Sequence, residues 1–451
     1  MSTLAACAGP PQAQDAAPGN RNDTLEAGDE KFSGRLLPMN AAEERARRSD
    51  ADFDFDSPPA TRFRLTPDLS FGAKAELEAE REENFDLDLD KQKDETSVEP
   101  RLSMSLSYMP KETVQAYLNV EASYLFIDDD RDLKDDEKRL QIKQAFLSFS
   151  GLPDGATVKL GRQRFRDERE WLADEELDGI RLFHHISRFA GEVSAARRND
   201  RDLLNDQEFD KVDNYLLRGL FAANKDQRAD LYLLGQNDRR DNDEDRLYLG
   251  LYSGGELLDD LDYWLNLAYL WGESDSNDIR AYGVDVGGTY VFDVAFDPSI
   301  TLGYAYGSGD AEPDDGRDGN FRQTGLQDNT ARLNGLIRLK YYGETVDPEL
   351  SNLQIASAGV GIRPTKSTSL DLVYHNYRQV EASTQVRDWE LRKDPNGRST
   401  DIGYGVDLIA GYRIKPHYKG SLIFGHFRPG SAFDDDADDA YYAELELMYE
   451  F

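Results

Sequence analysis

Eight basic side chains stand out in this acidic chain of 451 residues. Arg101, Lys143, Arg162, Arg164, Arg181, Arg218, Arg338 and Lys340 lie inside or at the ends of segments in which apolar and polar residues alternate. Guanidinium and ammonium groups hold carboxylates and phosphates through charge-assisted hydrogen bonds. The chemistry such a set offers is the binding and hand-over of anions, not the making of bonds. The opposing reading is that each cation is neutralised by a neighbouring acid. With 53 Lys and Arg against 88 Asp and Glu, and a net charge of −35, partners are plentiful and the two readings stand level for any single residue. The densest cluster is GRQRFRDE, Gly161–Glu168.

Patterns for catalysis are poor. The five histidines (His184, His185, His375, His417, His426) include no HExxH spacing, and an adjacent pair on a strand points to opposite faces. Cys7 is the single cysteine, which excludes an internal disulfide or a cysteine-built zinc site. The glycines of Gly283–Gly288 and Gly303–Asp310 do not form a phosphate loop ahead of a helix, and within strands glycine more often marks a bend or tight packing. No GxSxG elbow occurs, and no Ser/His/Asp set selects itself. The acidic runs Asp128–Asp136 and Asp310–Asp318 could take calcium, but without EF-hand spacing a solvated acidic rim is the favoured reading. So acidic a chain does not grip nucleic-acid phosphates.

What positions the cations is a repeated strand. No apolar run approaches the ~18 residues of a spanning helix. From Asp68 onward, however, segments of ten to fifteen residues alternate at period two. In Val114–Tyr124 the even positions are apolar and the odd ones are Gln115, Tyr117, Asn119, Glu121 and Ser123. In Leu261–Trp271 the odd positions are apolar. The last segment sets Tyr441, Leu445, Leu447 and Tyr449 against Glu444, Glu446 and Glu450. Three glutamates on one strand face fit water on that side and lipid on the other.

Connectors alternate as well. Short ones, such as Met109–Glu112, Gly151–Gly155, Ala223–Gln227, Arg363–Lys366 and Arg413–Lys419, separate longer acidic ones. The latter are Asp128–Glu137, Asn199–Asp210, Gln236–Asp245, Gly309–Asn329, Arg378–Ser399 and Pro429–Asp439. This predicts an all-β transmembrane antiparallel barrel over residues 68–451, with about 18 strands, nine long outer loops and eight short periplasmic turns. A solenoid would show a fixed repeat, and a sandwich gives no reason for the closing aromatic Phe451. A cation facing lipid at mid-depth costs about 2–4 kcal/mol, so most of the eight must point inward. Arg162 and Arg164 share parity with the apolar Val158 and Leu160, which predicts a β-bulge near Gly161 turning Arg164 into the lumen.

Ahead of the barrel, residues 1–20 read as a residual signal or lipoprotein-like segment, with Leu4-Ala5-Ala6-Cys7 resembling a box that would lipidate Cys7. Residues 21–67 read as a polar, partly disordered periplasmic lead-in with a short helix at Ala41–Arg48 and the acidic Asp52–Asp56.

At KLGRQRFRDEREW (Lys159–Trp171), GYAYGSGD (Gly303–Asp310), FRQTGLQDN (Phe321–Asn329), ELSNLQIA (Glu349–Ala356) and SLDLVYHNYR (Ser369–Arg378), the chain resembles the alginate-export outer-membrane porins. The resemblance implies an eighteen-stranded monomeric barrel whose basic constriction passes a polyuronate outward, fed by periplasmic polymer-synthesis proteins. Carried over by position, it implies a constriction arginine at Arg164 and a strand arginine at Arg101. The Arg-Glu pair of the family becomes Lys143 and Gln144, a further arginine falls on Arg338, and a first-strand lysine falls on Lys74. Asp174 and Asp200 match its acidic partners. Three departures stand beside these. The arginine after QTGL is replaced by the displaced Arg332; the paired arginines of the penultimate strand are missing, leaving Lys419 and Arg428 near its ends; and the long last turn shrinks to RIKPHYK.

These observations predict an outer-membrane channel that exports an anionic exopolysaccharide, alginate or a related polyuronate. Its lumenal site would be Arg164, Arg101, Lys143, Arg338, Lys74, Arg162, Arg332, Asp174 and Asp200. No cofactor or metal is expected at the barrel, with calcium an option at the outer loops. An uptake porin for anions or acidic oligosaccharides is the alternative, and a barrel enzyme with a site near His184 and His185 ranks below it.

Overall fold

In the computed structural model, residue 61 and residues 63–450 are described, apart from short stretches at 92–93, 130–135, 200–201, 206–208, 225–226, 240–243, 275–276 and 415–416. The expectations for Cys7, the helix at Ala41–Arg48, the acidic Asp52–Asp56, Asp200 and Phe451 lie outside these residues.

Eighteen strands form the wall. The first six are β1 (Leu69–Glu83), β2 (Glu95–Lys111), β3 (Val114–Asp129), β4 (Glu137–Phe149), β5 (Ala156–Arg166) and β6 (Asp174–Ile186). Then come β7 (Phe189–Asn199), β8 (Phe209–Ala222), β9 (Gln227–Asp238), β10 (Glu244–Leu258), β11 (Leu261–Ser274) and β12 (Asn277–Val291). The last six are β13 (Ser299–Gly307), β14 (Leu353–Thr365), β15 (Thr368–Gln379), β16 (Asp401–Ile414), β17 (Tyr418–Pro429) and β18 (Ala440–Glu450). Each pairs antiparallel with the next, and β1 pairs with β18 from Lys74↔Glu450 to Glu83↔Tyr441, so the sheet closes with no free edge. Eight connections of two to seven residues lie at one end and nine at the other, where the longest spans 308–352. Phe63–Thr66, placed by sequence in the lead-in, adds a four-residue strand against the start of β1.

Alternation decides which face is which. In β11, Tyr269 is exposed while Trp264, Asn266, Ala268 and Leu270 on the opposite parity are buried inside. In β18 the outward set includes Tyr441, Leu445 and Leu447, and Glu444 and Glu446 point inward.

The lumen is not uniformly wet, as its polar composition suggested. Along β9–β17 the inward side chains include Tyr248, Leu270, Ile279, Val373, Ile409 and Ile423. They pack against Phe321, Ile337, Leu339, Tyr341, Val346 and Leu350 of the 308–352 connection, which folds into the barrel. Burying six such side chains contributes on the order of 10 kcal/mol, enough to fix the insertion in place. Glycine hollows the wall to receive it: a Cβ at Gly283 would meet the Phe321 ring.

One expectation is corrected here. Arg338 and Lys340 are not on a wall strand. Leu339–Lys340 forms only a two-residue ladder with Thr330–Ala331 inside the insertion. Its alternating sequence finds a dry inner core for Ile337, Leu339 and Tyr341, so the alternation that mimics a lipid-facing strand is satisfied within the barrel.

Candidate functional site: the lumenal waist

Along β1–β4 and β18 the inner face is polar, and two large cavities open to water follow it. The one toward the short-turn end, of about 500 Å³, is lined by residues such as Lys74, Glu76, Asn119 and Glu450. The other, of about 710 Å³, extends toward the long loops past Glu80, Glu444 and Glu390. Arg101, Lys143, Arg164 and Glu176 line both and mark the waist between them. Three of the cations singled out by sequence thus converge from β2, β4 and β5.

Each arrives by a specific backbone device. Lys143 sits at a β-bulge: β3 and β4 pair at Asn119↔Gln144 and again at Val120↔Ile142, leaving Lys143 as the extra residue. The bulge turns both Lys143 and Gln144 inward. Arg164 is reached differently from the expected bulge. β5 and β6 keep one unbroken register from Ala156↔His184 to Arg166↔Asp174. The pairing of β5 with β4, however, stops at Ala145↔Arg162. At Gly161, whose φ of +119° excludes ordinary side chains, the end of the β5–β6 hairpin leaves the wall and folds inward. One of its faces then points Arg164, Glu176 and Asp174 at the water, while Phe165 and Leu177 on the other pack against Leu172 and Leu326. The edge of β4 so vacated is covered by the β7–β8 connection: Leu203 N–H donates to the Leu140 carbonyl (2.8 Å), and Leu140 N–H to Asp202 (3.2 Å).

All the waist cations hold carboxylates. Arg101 donates from Nη1 to Glu76 and Glu78 (2.8 Å each) and from Nε to Glu99 (2.8 Å). Lys143 lies 3.3 Å from Glu176, and Arg164 grips Asp174 through two nitrogens. Below the waist, Lys74 bonds Glu76 at 2.7 Å. Above it, Lys340 lies 2.8 Å from both Asp328 and Asp347. Burial opposes the charge on Lys340, but Asp347 and Asp328 outweigh it and hold the ammonium above its ordinary pKa. Burial pushes Asp347 up to about 6 in spite of Lys340.

Other expected residues stand elsewhere. Arg162, the last residue of β5 paired with β4, donates to the Asn199 carbonyl (2.7 Å) at the seam and does not line either cavity. Arg338 belongs to the insertion, where it meets Glu170 at 2.9 Å, and burial pulls its guanidinium down to about 10. Arg332 lies in the same insertion and lines neither cavity. Arg181 and Arg218 are buried against Glu192 and Asp230 in the packed half, as the salt-bridge reading holds. The residues that reasoning from cations missed are the inward glutamates of β1, Glu76, Glu78, Glu80 and Glu82. Their signal was the same alternation already visible in Glu444 and Glu446.

Two arrangements resemble other chemistry. Glu170, Asp174 and Asp328 bring carboxylate oxygens within 4.8 Å of one another. Arg164, Arg166, Arg338 and Lys340 engage these same carboxylates, so cations of the protein already answer their charge. Ser357, His375 and Asp407 line up on β14, β15 and β16. Ser357 Oγ lies 2.8 Å from His375 Nδ1, and Asp407 lies 3.3 Å from Nε2. A catalytic base would use the opposite nitrogens for serine and acid. His375 is fully buried, and the adjoining cavity of about 20 Å³ admits a water but no substrate. The set is a buried polar ladder under the insertion.

Comparison with known proteins agrees with this architecture. The family model described as alginate export matches residues 68–444. The alginate production protein AlgE of Pseudomonas aeruginosa is 22% identical over 386 residues, covering 70% of this chain and 75% of that protein. AlgE of Azotobacter vinelandii is 29% identical over 140 residues, covering 29% of this chain and 28% of its own. Among solved structures, the Pseudomonas aeruginosa outer membrane protein opdK superposes with a TM-score of 0.56 at 12% identity, covering 85% of this chain and 98% of opdK. OprD of the same organism gives 0.55 at 12% identity, with 90% and 96% covered. These two share the fold. The chain is a channel of the bacterial outer membrane and not an enzyme, and it belongs to the alginate export family.

Proposed function

We propose that the chain carries an acidic exopolysaccharide, alginate or a related polyuronate, outward along the polar arc of its lumen. The observation that carries the reading is the meeting of Arg101, Lys143 and Arg164 at the waist shared by the two cavities. A uronate carboxylate arriving there has the same donors to satisfy as Glu99, Glu176 and Asp174. It can therefore exchange places with them, and an approaching sugar unit displaces one carboxylate from a guanidinium while the next site stays occupied. Several weak, exchangeable sites in series let a charged chain enter and leave. Periplasmic polymer-synthesis proteins would feed a single barrel from the short-turn end. Lys74, Asp174 and the waist cations form the path, with Arg162, Arg332 and Arg338 supporting its walls.

Single-channel recording of the refolded barrel in a planar bilayer tests this. Alginate oligomers are expected to block the current, a neutral glucan of equal length to leave it unchanged, and Arg164→Glu to weaken the block. Equal block by both polymers, or none by alginate, would leave an open porin whose arginines serve only as salt-bridge partners.

A further inference from the structure

The two chambers differ sharply in charge. Around the lower one, five Lys and Arg face five Glu. Around the upper one, eleven Asp and Glu face four Lys and Arg, and those four are themselves bonded to carboxylates. We infer that this lumen conducts small cations in preference to small anions, although the cargo assigned to it is a polyanion. The inference rests on the lumen being the conduction path and is independent of which polymer travels through it.

Charge and confinement carry the argument. Burial and the neighbouring Asp407 push the Glu344 carboxyl, in the insertion, well above the usual carboxylate range, and with Glu344 left out of the balance ten carboxyl groups still face four cations. These line one chamber of about 710 Å³, so the field is concentrated in the space an ion must cross. A charged cavity between low-dielectric walls focuses its field, and a potential of only one kT per unit charge already favours univalent cations over anions by about sevenfold. Screening acts over about 10 Å at 0.1 M salt, comparable to the chamber itself, so the preference persists at moderate salt. The waist does not reverse it. Arg101 alone is surrounded by Glu76, Glu78 and Glu99, which leaves its surroundings acidic. The chamber beyond the waist accordingly holds mobile cations. A polyuronate passing through it does so as a salt, its carboxylates matched by ions taken from the chamber, and it does not depend on fixed positive charge along the whole route.

The experiment is the reversal potential of the full chain in a planar bilayer under a tenfold potassium chloride gradient. The expected sign is that of a cation-selective pore, with a potassium-to-chloride permeability ratio of several-fold. The double variant Glu80→Gln/Glu390→Gln removes two upper-chamber carboxylates and is expected to lower that ratio toward one. An anion-selective or indifferent wild-type pore overturns the inference without need of any variant. A ratio unchanged in a conducting double variant overturns its assignment to the upper chamber. Block by alginate is read separately, so loss of the cargo reading and loss of this one are distinguishable.

Discussion

Replacing Gly161 by alanine tests whether the waist depends on one residue of backbone freedom. Gly161 has φ +119°, a region costing other residues about 1–3 kcal/mol. An added Cβ would also overlap the Ala145 carbonyl oxygen and lie 3.1 Å from Phe146 Cα. That carbonyl belongs to the last residue of β4 still paired with β5, so making room means loosening the point where the hairpin departs. Losing one ladder hydrogen bond adds about 1 kcal/mol. The expected total is about 2–4 kcal/mol, and Gly155 supplies the control. Its φ is +79°, but a Cβ there meets nothing within 4 Å, so Gly155→Ala carries the backbone cost alone. Urea unfolding of the refolded barrel should show Gly161→Ala to be the more destabilised by 1 kcal/mol or more. Single-channel conductance should rise for Gly161→Ala alone, because the hairpin carrying Arg164, Asp174 and Glu176 no longer holds its place. Equal stabilities, or an unchanged conductance in a destabilised Gly161→Ala barrel, would refute the view that this glycine builds the waist.

Two further outcomes follow from the insertion and from the polar ladder beneath it. The folded pKa of Asp347 stands above its ordinary value, at about 6, so the folded state takes up this proton first as pH falls. Its contribution to stability is therefore complete only below its ordinary value of 3.8, is still largely present at pH 4 and is lost as pH rises through 6; two pKa units set an upper bound of about 3 kcal/mol. Unfolding measured at pH 4 and pH 7 should show wild type losing stability relative to Asp347→Asn as pH rises, and a parallel response of the two proteins would remove this assignment. The Ser357–His375–Asp407 ladder predicts a purely structural effect. Ser357→Ala should cost about 1 kcal/mol and leave channel block by alginate intact. Turnover of an activated ester by wild type that vanishes in Ser357→Ala would overturn the ladder reading.

The wall was legible because lipid on one face and polar groups on the other impose period two. Gln115, Tyr117, Asn119, Glu121 and Ser123 sit on one inward face, as their spacing predicts. Arg101, Lys143 and Arg164 were legible for the same reason, since a strand cation must turn away from lipid. What alternation does not encode is where the polypeptide leaves the wall. Ile337, Leu339 and Tyr341 alternate as a lipid-facing strand would, yet pack against Val373 and Ile409 inside the barrel. The bulge was expected at Gly161 and stands at Lys143, one strand away, because bulge position depends on pairing between strands. Gly161 still marked the correct turning point through its freedom at positive φ. The inward glutamates of β1 were visible as alternation, but their pairing with Arg101 depends on which strand lies alongside.

The division of the lumen into a packed half and a wet arc has a mechanical reason. An eighteen-stranded barrel is wide enough for an aqueous channel far broader than one extended polysaccharide. Lining so wide a tube with charge would leave each carboxylate of the cargo distant from most fixed partners. Here the chain narrows its own barrel, filling one side with the 308–352 insertion and the inward β5–β6 hairpin. The fill is anchored by apolar burial, which water and salt do not compete away, so the width of the path is set independently of its charges. The charges of the wet arc lie in ion-paired clusters along the water-filled cavities, where a carboxylate of the cargo can exchange with one of the protein. Substitutions at Leu339, Val373 or Ile409 should therefore register as stability, and substitutions at Arg101, Glu78 or Lys143 as permeation. Cargo preference can then drift along β1–β4 while the packed half continues to narrow the passage.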